Sequence, residues 1–225
     1  MPLVTICLRL HQPFRLSPEN ATSLWDEKNR EVFTRRAELC YLPITRMFTG
    51  LVRTQPNFKI SYSISGTFLE QAELYQPKVI DALRELLDSA GHRGQVEFLE
   101  ETYYHSLASL FPDPEKTEFK EQVSLHRQKM NGVLGVMPTT FANTGLLYDG
   151  ELANIIADMG FAAVLCEPDD RIVNVRDHKP AAVNVVFRAK GRKGHPRKLA
   201  VLPRNADLSA KLASEIGRAS CRERV

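Results

Sequence analysis

The side chains able to do chemistry gather just past the ends of short apolar runs. His11-Gln12-Pro13 closes Val4–Leu10, and Ser65-Gly66 closes Phe58–Ser65. Glu100, Glu101, Tyr103, Tyr104 and His105 crowd the end of Val96–Tyr104. Asn143-Thr144-Gly145 ends Thr140–Gly145, and Glu167 with Asp169-Asp170 follows Ala162–Cys166. If these runs are parallel strands, groups at their C-terminal ends converge on one rim, where α/β proteins bind ligands. Carboxylates, imidazoles, amides and aromatics on one rim suit a sugar. Aromatic faces cover its C–H surfaces, and the polar groups bond its hydroxyls. A histidine at one strand end is more often structural; five clusters together carry the reading.

The elements that must position these groups follow from periodicity. Phe58, Ile60, Tyr62 and Ile64 alternate with polar residues, as a strand requires. Glu27–Thr54 reads as helical, with Pro43 dividing it in two because the ring lacks an N–H and clashes one turn back. Thr67–Ser89 reads as one helix closed by Gly91 and Gly94, and Thr117–Val133 as the next. Asp149–Met159 follows, with Gly160 as its cap. Ala182–Phe187 and Lys198–Leu202 flank the basic stretch Arg188–Lys198 as a hairpin or two late strands. Alternating strands and helices predict an α/β fold with a parallel sheet and crossover helices. A closed barrel and an open sheet both fit. No GxGxxG or Walker loop follows a strand, which argues against a nucleotide-binding sheet.

Bulk properties narrow the function further. With 225 residues, 43% hydrophobic and 25% charged, the chain reads as one ordinary globular domain. A net charge of +3, with basic residues scattered among acids, predicts no nucleic-acid partner. No apolar run approaches the ~18 residues of a membrane span, and Met1–Pro13 lacks the pattern of a signal peptide. Cys7, Cys40, Cys166 and Cys221 show no CxxC spacing, so reduced thiols and a cytoplasmic protein are expected.

An ordered set of motifs resembles glycoside hydrolase family 57, and its α-amylase-type members most. The set comprises HQP (His11–Pro13), CYLP (Cys40–Pro43), SYSISGTFLEQ (Ser61–Gln71) and GQVEFLEETYYHSL (Gly94–Leu107). It continues with EFKEQVSLHR (Glu118–Arg127), FANTGLLYDGELANIIADMGF (Phe141–Phe161) and LPRNADLSAKLA (Leu202–Ala213). The resemblance implies an incomplete (β/α)7 barrel acting on α-glucan or maltooligosaccharide with retention of configuration. It implies no cofactor or metal. His11 and Gln12 would sit beside the sugar, Glu101 and His105 would bond its hydroxyls, and Glu167 would join them on the rim. Retention uses two carboxyl groups about 5–5.5 Å apart, one attacking the anomeric carbon and one protonating the leaving oxygen.

At one catalytic position the chain departs from that pattern. The family reads Asn-Thr-Glu, with the Glu as nucleophile, where this chain reads Asn143-Thr144-Gly145. Glycine cannot attack carbon or carry a glycosyl intermediate. Glu151 and Glu167 are poor substitutes, and Asp207 reads as a helix-starting residue. The resemblance sets the acid/base Asp further along than residue 225. The chain is therefore expected to lack glycosidase activity. A relative that retains glucan without cleaving it, or a single-base change of a Glu codon, would each account for Gly145. Residues 215–225, EIGRASCRERV, match the translation of a common sequencing adapter. We expect residues 1–214 to be the N-terminal part of the barrel domain, truncated at its C-terminus.

Two other functions compete. A metal-dependent polysaccharide deacetylase would need closely spaced histidine ligands. The six histidines (His11, His92, His105, His126, His178 and His195) form no HxxxH or similar pair. A non-catalytic amylase-like α-glucan-binding protein fits Gly145 directly.

Overall fold

In the computed structural model, residues 4–17, 27–168, 184–189 and 199–222 are described, with side chains to 214. The chain divides into two units, Met1–Pro138 and Thr139–Val225. Both are α/β and rest on mostly parallel strands. Among the described residues no helix is long and apolar enough to cross a membrane.

The first unit has a three-stranded parallel sheet in the order β1 (Ile6–Leu10), β2 (Ile60–Ile64), β3 (Val96–Leu99). Successive side chains point to opposite faces, and the register aligns Leu8, Tyr62 and Phe98, with Leu10 beside Ile64. These residues make the apolar face. Tyr62 and Phe98 stack at 5.8 Å between ring centroids, and Phe48 meets Tyr62 edge-on. The helices α1 (Lys28–Arg36), α2 (Leu42–Thr54), α3 (Gly66–Tyr75) and α4 (Lys78–Ala90) supply the remaining core, including Phe33, Val52, Phe68, Leu83 and Leu86. Each such side chain contributes roughly 1.5–3 kcal/mol on burial. The opposite face carries Cys7 and Arg9, Ser61 and Ser63, Glu97 and Leu99. This second face is polar, and it leads to the rim.

Two proline effects differ from expectation. Pro43 does not divide the helix at Glu27–Thr54. The backbone stays helical through a π turn at Ala37–Tyr41, where the Leu42 N–H reaches back to the Ala37 carbonyl. The wider turn takes up the ring at the start of α2, where a missing N–H costs little. Pro77, by contrast, splits the single helix expected over Thr67–Ser89. Gln76 is driven out of the helical region (φ −152°, ψ 72°), as the residue before proline is, so α3 ends at Tyr75 and α4 begins at Lys78. The helix α5 (Thr117–Leu134) follows β3. Asp113 accepts the backbone N–H groups of Glu115 and Thr117 ahead of it. Gly135, at φ 68°, ends it.

The second unit has β4 (Thr140–Ala142), α6 (Gly150–Asp158), β5 (Ala163–Cys166), β6 (Phe187–Arg188), β7 (Ala200–Pro203) and α7 (Ala206–Arg222). Its strand order is β4-β5-β7-β6, parallel except where β6 runs antiparallel to β7. Phe187 pairs antiparallel with Val201, where a hairpin or two late strands were expected, with strands at Phe187–Arg188 and Ala200–Pro203. Most of the basic stretch Arg188–Lys198 lies outside the described residues, as do Asp169 and Asp170. Asp149 caps α6 by accepting the Leu152 N–H at 2.7 Å, and Gly160 follows with φ 88°. Asn205 caps α7 through the Leu208 N–H, so Asp207 falls in its first turn.

Candidate functional site

The first unit brings four of the expected residues to the C-terminal ends of β1 and β3. Register places His11 next to Ser65, and its Nδ1 lies 2.8 Å from the Ser65 hydroxyl. Ser65 is fixed from below, because its Oγ also accepts the Phe68 N–H at the start of α3. Glu101 is fully buried. Its Oε2 accepts from the Ser63 hydroxyl at 2.8 Å, lies 3.3 Å from His105 Nδ1 and 4.0 Å from Arg9 Nε. Its Oε1 has no partner. A buried carboxylate oxygen without a donor is costly, and Oε1 is the part of Glu101 left unengaged by the chain. The two imidazole rings, His11 and His105, face each other at 4.6 Å between centroids.

Electrostatics divide the roles. Burial lowers the His11 pKa, the neighbouring His105 adds to this, and Glu101 opposes it. His11 is therefore neutral at pH 7, with Nδ1 tied to Ser65 and Nε2 left to meet a hydroxyl. His105 holds a positive φ of 54°, rare for a residue with a side chain. Backbone in that region costs of order 1–3 kcal/mol and collects at functional sites. β3 ends at Leu99, short of the expected Tyr104, so Tyr103 and Tyr104 lie in a turn beyond it, with Tyr103 8% exposed and Tyr104 51%. The Tyr103 hydroxyl donates to Glu70 Oε1 at 2.6 Å, and its ring stands edge-on to Tyr104. Gln12 is buried behind the rim. Its carbonyl accepts from Gln71 Nε2, and its own Oε1 has no partner.

Gly145 and Glu167 belong to the second unit. They share a loop junction, where the Glu167 N–H donates to the Leu146 carbonyl at 3.0 Å. Both Glu167 oxygens are engaged by Arg204, from its Nε at 2.9 Å and its Nη2 at 2.5 Å. Gly145 has φ 63° and ψ 11°. A Cβ there would meet only Leu147 Cγ, at 3.7 Å. Space for a side chain exists, but the backbone favours glycine. Glu151 lies exposed in the first turn of α6.

Ser63, Arg9 and His126 were not singled out by the sequence reading of this site, and Glu100, expected on the rim, turns away from it. Glu100 is fully buried on the opposite side of the chain from Glu101, and its Oε1 contacts Nδ1 of His126 on α5. The other ring nitrogen of His126 lies 2.6 Å from the Ile64 carbonyl. Desolvation pulls the His126 pKa down, but the bond to Glu100, its charge and the Ile64 carbonyl outweigh it, and the net shift is upward. One signal was available. His126 interrupts an otherwise apolar stripe of Phe119, Val123, Met130 and Val133 at helical spacing. Among the described residues, no three His, Cys, Asp or Glu side chains are grouped so as to hold a metal ion.

An α/β chain whose parallel strands end in a buried carboxylate flanked by imidazoles and serines has the make-up of a polar-ligand site at strand ends. Comparison with known proteins gives the class its name. Residues 5–219 match the model for glycosyl hydrolase family 57, and the chain belongs to that family. A Methanocaldococcus jannaschii protein that carries the name of an α-amylase by inference is 36% identical over 182 residues. The match covers 77% of this chain and 38% of that protein, so the chain spans well under half the length of this relative. The fold is similar to 4-α-glucanotransferase from Thermococcus litoralis, with TM-score 0.64, 19% identity, and coverage of 93% of this chain and 29% of that one. It is also similar to an α-amylase from Thermotoga maritima, with TM-score 0.63, 14% identity, and coverage of 92% and 46%.

Proposed function

We propose that this chain is part of a retaining α-glucan-active enzyme of the α-amylase or 4-α-glucanotransferase type, and that as it stands it binds glucan without cleaving it. The observation that carries the reading is the unpartnered Oε1 of buried Glu101, beside His11 and His105 on one rim. A sugar hydroxyl donating to that oxygen would satisfy it, and His11 Nε2 would reach a neighbouring hydroxyl. Exposed Tyr104 offers a ring face for the sugar's C–H surface. The names of the similar proteins, an α-amylase and a 4-α-glucanotransferase, point to the same substrate class.

We read both units as parts of one incomplete (β/α)7 barrel. Parallel strand order with helical crossovers in each unit supports this. Residues 1–214 would supply its N-terminal part. A cytoplasmic setting fits the free thiols of Cys7, Cys40 and Cys166.

Catalysis would need a carboxylate at position 145, and glycine has none. Glu167 does not replace it, because both its oxygens are held by Arg204. The left-handed backbone at Gly145 suits glycine without strain. The test has two arms on the 225-residue chain: retardation in a glycogen-containing native gel, and product release from maltoheptaose. Retardation without release is expected. Release of shorter maltooligosaccharides would refute the inactive reading, and unretarded migration would refute the binding one.

A further inference from the structure

We propose that His126 is a positioning residue, whose imidazole spans the ends of β2 and β3 and sets the spacing of the rim. The hydrogen-bonded register between these strands runs from Ile60–Val96 to Ser63–Leu99 and stops there. The next pair in register would be Ile64 with Glu100, and His126 bridges these same two residues. Every neighbouring rim group hangs from these ends. Ser63 precedes Ile64 and holds Glu101, while Ser65 follows it and holds His11. Glu101 follows Glu100 and contacts His105. Each ring nitrogen of His126 therefore contacts a residue next in sequence to one that builds the rim.

Proton placement explains why histidine fills the position. The Ile64 carbonyl can only accept, so His126 Nε2 carries a hydrogen. Nδ1 then faces the Glu100 carboxyl either as a second donor to a carboxylate or as an acceptor from a carboxylic acid. Both arrangements keep the bridge and leave a single proton shared within it. Arg127 Nε, 3.5 Å from Glu100 Oε2, adds charge from the same helix. His126 is fully buried with both ring nitrogens engaged inside the chain, so it holds the rim and does not bind sugar.

The proposal deepens the glucan reading, but its first readout needs no sugar. Glu100→Gln keeps the bridge: neutral His126 still donates from Nε2 to Ile64, and its Nδ1 accepts from the new amide. Glu100→Leu/His126→Leu removes the bridge together with both buried titratable groups, and Glu100→Gln/His126→Asn breaks it with a shorter polar side chain if the first double variant does not fold. In the full chain, the His11 titration is followed by NMR and maltoheptaose affinity by calorimetry. In Glu100→Gln, His11 should stay below its ordinary value, and affinity should hold within about 3-fold. In the bridge-breaking variants, His11 should rise toward about 6.5 as the rim loosens and the burial that lowers it is relieved. Affinity should fall about 10-fold or more, the loss of one charge-assisted hydrogen bond. A folded bridge-breaking variant with His11 unmoved would overturn the proposal, as would Glu100→Gln raising His11 as far as those variants do. If wild type itself does not bind maltoheptaose, the glucan reading fails, while the His11 shift still decides the role of His126.

Discussion

Gly66→Ala probes how closely the rim is packed. A Cβ at Gly66 would lie 2.5–2.6 Å from Cδ2, Cε2 and Cγ of the Tyr103 ring. The ring cannot easily retreat. It is buried, its hydroxyl is held by Glu70, and its carbonyl accepts the Gly66 N–H at 2.8 Å. Forcing a methyl into such a contact costs roughly 1–3 kcal/mol. Alanine at the first position of α3 returns up to about 1 kcal/mol of helix propensity, so a net loss of about 1–2 kcal/mol is expected. Urea unfolding of wild type, Gly66→Ala, Tyr103→Ala and the double variant measures this. In the Tyr103→Ala background the alanine should become neutral or stabilising, a coupling of about 1–3 kcal/mol. An alanine equally costly in both backgrounds would refute the packing argument.

Further outcomes follow from single contacts. Gly145→Ala should cost about 1–2 kcal/mol in urea unfolding through its left-handed backbone alone, since the space around it is open; an unchanged midpoint would contradict this. Asp149→Ala should remove the α6 cap at a cost of about 1 kcal/mol, read by the same assay. Stability should also depend on pH in two opposed ways. His126 has a raised folded pKa, so its contribution is fully present below about 6.5 and is lost as pH rises through the raised value. His11 has a lowered folded pKa, so its contribution is present above about 6.5 and is lost as pH falls through the lowered value. Unfolding measured from acid to alkaline pH should show both limbs, with His11→Asn flattening the acid limb only.

The strand ends that carry the rim were legible because period-two alternation and the residues closing each run are local signals. Ser65-Gly66 follows β2 as the pattern of Phe58–Ser65 indicates, while Glu101 and His105 lie in the loop beyond β3, which ends at Leu99 and not at Tyr104. The helix boundaries were harder. Pro77 breaks a helix through the residue before it, whereas Pro43 is absorbed by a π turn, and both positions look alike in sequence. The Glu100–His126 bridge spans 26 residues between a strand end and a helix, so no local period reveals it. Gly66 was read as a strand stop, while its role is to admit the Tyr103 ring, 37 positions away in a chain whose folding brings them together. Glu167 was expected to face substrate. Its bidentate pairing with Arg204 depends on β5 and β7 lying side by side, which the hairpin pattern alone did not specify.

The central claim is that Glu101, His11 and His105 form an α-glucan site. Calorimetric titration of maltoheptaose into the wild-type chain and into Glu101→Ala tests it most directly. The claim predicts saturable binding by wild type and a loss of about 10-fold or more in the variant, the scale of a hydrogen bond to a charged group. Equal affinity in the two proteins, with both folded, would contradict it.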